Sequence, residues 1–109
     1  MNRVTLYQFK TQDISVIIEA YFDNEKLVIE GYDIGKAVKD WWGDSDYEYS
    51  TTIYPEEVGK LYSLMKVAEG DKKGLLRAIA SNFNTNSCYI EFREFLEKNG
   101  IKSEAFSWT

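Results

Sequence analysis

The sequence predicts an α+β fold: an antiparallel sheet of about four strands from the N-terminal half, packed on about three C-terminal helices. Three observations predict it. Apolar residues recur with a period of two before Pro55, the only proline, and with a helical period after it. Two β-rich runs are joined by a short polar turn, which is a hairpin signal. The chain has 109 residues, 44% of them hydrophobic, with no linker, repeat or low-complexity stretch, so residues 1–109 read as a single domain.

The strands come first. Arg3–Phe9 and Ser15–Phe22 alternate; Asp23-Asn24-Glu25-Lys26 reads as a tight turn, and Leu27–Tyr32 as the returning strand. Turning at Asn24-Glu25 sets the register. One face then carries Phe22/Leu27, Ala20/Ile29 and Ile18/Gly31, a core face. The other carries Tyr21/Val28, Glu19/Glu30 and Ile17/Tyr32, with two glutamates opposed. Like charges facing across a ladder are unfavourable by up to about 1 kcal/mol. The plain reading of that face is a solvated surface with a lysine nearby; the alternative is a docking face. Ile34–Trp42 is expected to form one or two helical turns closed by Gly43, and Tyr47–Tyr54 a fourth strand rich in Tyr, Thr and Ile.

The helices follow. Pro55 suits a first helical position and Glu56 and Glu57 the positive end of the dipole, with Val58, Leu61, Tyr62, Met65 and Ala68 on one stripe. Asp71 is expected to cap a second helix with Leu75, Leu76, Ile79, Ala80 and Phe83 inward. Ser87 is expected to cap a third carrying Cys88, Phe92, Phe95 and Leu96, stopped at Gly100. The tail Ile101–Trp108 returns as a strand or packs on the helices.

Composition excludes several functions. No apolar run approaches the roughly 18 residues of a membrane span, and Met1–Lys10 lacks the apolar block of a signal peptide. One cysteine and no Asn-x-Ser/Thr acceptor fit the cytoplasm. The net charge of −5 lies wholly in residues 1–54, which carry 10 acids and 5 bases, whereas residues 55–109 carry 8 of each. Nucleic-acid binding needs a basic footprint, so none is expected; an acidic surface suits a basic protein.

No catalytic or metal site is expected, nor any cofactor. There is no histidine, hence no Ser-His or Cys-His arrangement, and Cys88 reads as a small buried hydrophobe. Asp44, Asp46 and Glu48 alternate, but a calcium loop starting at Asp44 would need Gly and Glu where Tyr49 and Pro55 stand. Gly31 and Gly35 lack the flanking residues of a phosphate loop and read as packing and turn positions. Trp41-Trp42 is the most unusual local feature: neighbouring tryptophans cannot both enter one core from a single element, and the second either suits an interface, exposed beside acids, or is covered by Trp108 or another tail residue.

Ile29-Glu30-Gly31-Tyr32-Asp33-Ile34-Gly35, then Trp42-Gly43-Asp44-Ser45-Asp46-Tyr47-Glu48-Tyr49, resembles small acidic bacterial proteins of uncharacterised families. These read as Ile-x-Gly-x-Asp-x-Gly, a short helix, then Gly-x-x-x-Tyr-Glu-Tyr, and similar proteins include immunity proteins that neutralise toxins between competing bacteria. The likeness covers about a fifth of the chain, on turn glycines and strand aromatics, and carries over no site residue.

The leading reading is a non-enzymatic, cytoplasmic protein-binding module, an immunity or inhibitor protein that occludes a basic partner. Glu19, Glu30, Asp44, Asp46 and Glu48 would steer and pair with its cations, and Tyr21, Tyr32, Trp41 and Trp42 would supply buried contact. The alternatives are a small-ligand binder or carboxylate enzyme with a cleft between sheet and helices, which a carboxylate of raised pKa would favour, and a structural homodimer.

Overall fold

In the computed structural model, which describes residues 3–35 and 46–108, five strands pair in chain order as an antiparallel meander. They are β1 (Arg3–Lys10), β2 (Ile14–Asp23), β3 (Lys26–Gly35), β4 (Asp46–Ile53) and β5 (Glu104–Trp108). Three helices stand between β4 and β5 in the chain: α1 (Pro55–Leu64), α2 (Lys72–Asn82) and α3 (Cys88–Lys98). The expected α+β arrangement is present, with the C-terminal tail as a fifth strand.

The β2–β3 register is the one that the turn sequence predicts, from Phe22 opposite Leu27 to Ile17 opposite Tyr32. Asn24 takes φ +58, which asparagine tolerates better than most residues. Lys72 at the start of α2 donates to Glu25 at 2.9 Å and holds the turn against the helices.

β1 contains a bulge. Thr5 pairs with Glu19 and Tyr7 with Ile18, so Leu6 is the extra residue. Parity flips there: Val4 faces the core before the bulge, Tyr7 after it, and Leu6 itself is buried.

The core lies between the helices and one sheet face. Ile18, Ala20, Leu27, Ile29 and Ile53 meet Leu61, Leu75, Ile79, Phe92 and Leu96, all at 1% exposure or less. Each fully buried aliphatic or aromatic side chain contributes about 1.5–3 kcal/mol. Cys88 is buried among them, where desolvation pushes its thiol pKa up.

Several local expectations need correction. β3 runs to Gly35, so Ile34 is strand rather than the start of a helix; residues 36–42 of that proposed helix lie outside the described residues. Gly35 is required there, since at φ +147 any Cβ would collide with the Asp13 carbonyl. α1 stops at Leu64 and leaves Ala68 exposed, off the stripe. The stop is a Schellman motif: Val67 N–H donates to the Tyr62 carbonyl at 2.8 Å and Lys66 N–H to Ser63 at 3.2 Å, with Lys66 at φ +59. α3 ends in the same motif with glycine in the left-handed place, Gly100 at φ +68. Asp71 caps α2 through the Gly74 N–H at 3.0 Å. Ser87 occupies the N-cap of α3, but its hydroxyl makes no cap bond and donates to Asn86 instead.

Candidate functional site

The three described helices pack on one face of the sheet. On the face turned away from the apolar core cluster, register places Glu19 opposite Glu30, Tyr21 opposite Val28, and Tyr32 opposite both Ile17 and Glu48. Five of the nine residues singled out in the sequence thus share this face: Glu19, Tyr21, Glu30, Tyr32 and Glu48. Asp46 starts β4 opposite Ile34, while Trp41, Trp42 and Asp44 lie outside the described residues.

The opposed glutamates are handled by different groups, and the cation is an arginine rather than the expected lysine. Arg3 reaches across from β1, pairs with Glu19 at 2.7 Å and lies 4.1 Å from the Tyr21 ring centre. The Tyr21 hydroxyl donates to Glu30 at 3.0 Å; partial burial and this carboxylate raise the tyrosine's pKa. Each Glu therefore has its own partner, which removes most of the like-charge penalty. Neither Glu30 nor Glu48 has an ion-pair partner among the described residues. Between them, beside Tyr32 and above Gly31 and Tyr49, lies a depression of about 130 Å³.

A second concavity lies on the helix side, between β3–β5 and α3. Its volume is about 460 Å³, and its walls include Asp33, Tyr47, Tyr49, Tyr89, Ile90, Arg93 and the β5 segment Ala105–Ser107. It exists because β5 presents the small side chains of Ala105 and Ser107 on this side, opposite Thr51 and Tyr49.

The cleft's interior is ordered by tyrosines. Tyr49 lies over Gly31, its direct cross-strand partner, where no other residue leaves room for the ring. Its hydroxyl donates to Asp33 Oδ1 at 2.9 Å. The Tyr89 ring packs edge-on against it, with centroids 4.7 Å apart, and Tyr89 shares a 2.7 Å hydrogen bond with the buried Thr51 hydroxyl. The Tyr47 ring centre stands 5.4 Å from that of Tyr49.

Desolvation raises the Asp33 pKa, and the Tyr49 hydrogen bond only partly opposes it. The same burial, with Asp33 alongside, drives the Tyr49 pKa far above its usual range.

Comparison of the chain with protein-family models, with curated proteins and with solved structures gives no match.

Sequence reasoning offers a cleft between sheet and helices as an alternative but names none of the residues that form it. Its trace was parity: Asp33 continues the alternation of Leu27, Ile29 and Gly31, so a carboxylate ends the core-facing side of β3. No group of three or more His, Cys, Asp or Glu among the described residues is placed to hold a metal ion. No helix among them is long and apolar enough to cross a membrane.

Proposed function

We propose that this protein is a non-enzymatic binding module that holds a basic protein partner on the sheet face opposite the three described helices and acts by occluding it. The observation that carries the reading is the depression between Glu30 and Glu48, two carboxylates without a cation partner among the described residues. A lysine or arginine side chain from a partner would fill it, pairing with both carboxylates and lying against Tyr32. Desolvated charge pairs flanked by aromatic contact are where interfaces concentrate their affinity and specificity. Tyr21 beside the depression, and Phe106 at 57% exposure on β5, supply the apolar part of such a surface.

The net charge of −5 supports attraction of a basic partner over distance. An inhibitor or immunity role in the bacterial cytoplasm is the form of this proposal that the sequence resemblance favours. The contribution of Trp41, Trp42 and Asp44 rests on their sequence alone.

The test is paired capture from lysate of the source cells, using wild type and the Glu30→Lys/Glu48→Lys variant, eluted in a salt gradient. The expected result is one stoichiometric basic protein retained by the wild type and lost from the variant. Equal retention by both would eliminate the sheet face. Recovery of only a second copy of this chain would replace the partner with self-association.

A further inference from the structure

The cleft on the helix side is lined by neither Glu30 nor Glu48, shares only Phe106 with the side chains proposed for docking, and differs in its chemistry. Its two charged groups are of opposite sign and do not meet. Asp33 uses one carboxylate oxygen to accept from Tyr49; among the described residues the other oxygen has no donor, and no cation pairs with the group. Arg93, on the exposed side of α3, has neither an ion pair nor a hydrogen bond among the described residues. Its charge favours the ionised form of Tyr89, against the burial that raises the tyrosine's pKa. A carboxylate and a guanidinium that do not pair thus border one cavity, with Tyr47 and Tyr89 among its walls.

A half-buried carboxylate without a counter-ion gains when a cation or hydrogen-bond donor reaches its free oxygen. A guanidinium matches carboxylate or phosphate in a planar, bidentate way. Tyrosine rings favour a flat or apolar body. A cavity of about 460 Å³ falls within the roughly 300–1,000 Å³ of small-molecule sites.

We propose that this cleft binds a small bipolar molecule: a cationic nitrogen held by Asp33, an anionic group held by Arg93, and a planar or apolar body lying against the tyrosines. Asp33 and Arg93 are binding residues here, Tyr49 positions the carboxylate, and no bond is made or broken.

The experiment is titration of the full chain, followed by amide chemical shifts, with three probes. They are 4-(aminomethyl)benzoate, which carries both charges at opposite ends of a ring, benzylamine, which carries only the cation, and 4-methylbenzoate, which carries only the anion. The bipolar probe is expected to bind at least tenfold more tightly than either other probe, shifting β3, β4 and α3 amides. Asp33→Asn keeps an acceptor for Tyr49; it is expected to reduce the bipolar probe to the affinity of 4-methylbenzoate and leave the latter unchanged. Arg93→Gln, an exposed helix substitution, is expected to do the converse, reducing the bipolar probe to the affinity of benzylamine. The proposal is overturned if the bipolar probe binds no better than the others, if none binds at millimolar concentration, or if Asp33→Asn leaves its affinity intact. Because Glu30 and Glu48 touch none of this, the docking proposal stands or falls separately.

Discussion

Replacing Gly31 by alanine probes the joint between the sheet and the cleft. An added Cβ would overlap the Tyr49 ring, which lies directly over this glycine. The ring must then either stay, as an overpacked contact, or lift. Overpacking costs about 1–3 kcal/mol. Lifting gives up the 2.9 Å bond to Asp33, worth about 1 kcal/mol, and the edge-on contact with Tyr89, worth about 0.5–1.5 kcal/mol. Against this, alanine gains about 0.5–1 kcal/mol over glycine in a strand. The net expectation is a loss of about 1–2 kcal/mol. For a domain of this size that is about 4–8 °C in Tm. Urea and thermal unfolding of Gly31→Ala measure it. The same substitution in a Tyr49→Val background has no ring to displace, so there it should be neutral or stabilising by about 0.5 kcal/mol. Equal effects in the two backgrounds, or a Gly31→Ala protein as stable as wild type, would refute the account.

Three further outcomes follow from the same structure. Asp33 has a folded-state pKa above its unfolded value near 4. The ionised folded form is therefore disfavoured, and the group's contribution to stability falls as pH rises from the unfolded toward the folded pKa, then levels off. Asp33→Asn should remove that fall, seen as a flatter plot of unfolding free energy against pH over this window. Gly59 sits in α1 with open space where a Cβ would go, so Gly59→Ala should stabilise by about 0.5–1 kcal/mol in chemical denaturation. Cys88, at 0% exposure, should react with a thiol reagent only as fast as the protein opens, and at once in denaturant.

Where local pattern and tertiary packing agree, the residues are legible. The β2–β3 hairpin could be placed to the residue because its apolar face and its turn agree on one register, despite the two glutamates that register opposes. Where a residue's type argues against its element, the reading stops short. β3 runs past Tyr32 through Asp33 and Gly35, both poor strand formers, because Asp33 has Tyr49 and Gly35 packs against the Asp13 backbone. α1 ends at a left-handed lysine, which carries none of glycine's signal, so the stripe was extended to Ala68. The bulge left a trace, the shift of apolar residues from Val4 and Leu6 to Tyr7 and Phe9, which simple alternation averages away. The candidate surfaces divide in the same way. The sheet face follows from strand parity alone. The cleft needs β5, α3 and the Gly31–Tyr49 contact together, and those pairings join residues far apart in the chain.

The attachment of β5 has a kinetic consequence. It pairs Thr52 with Glu104 across all three helices, whereas β2 and β3 follow the strands they pair with after short turns. Closing so long a loop is entropically slow, and residues 102–107 are exposed, so little burial holds the strand once it arrives. The last strand in sequence is thus the last to dock and the first to peel away. Its amides should exchange hydrogen through an opening that leaves the β1–β4 meander closed. Each such opening bares the outer edge of β4 and dismantles one wall of the cleft. Whatever binds there is retained only while this short strand stays zipped, so ligand and strand must protect one another from release.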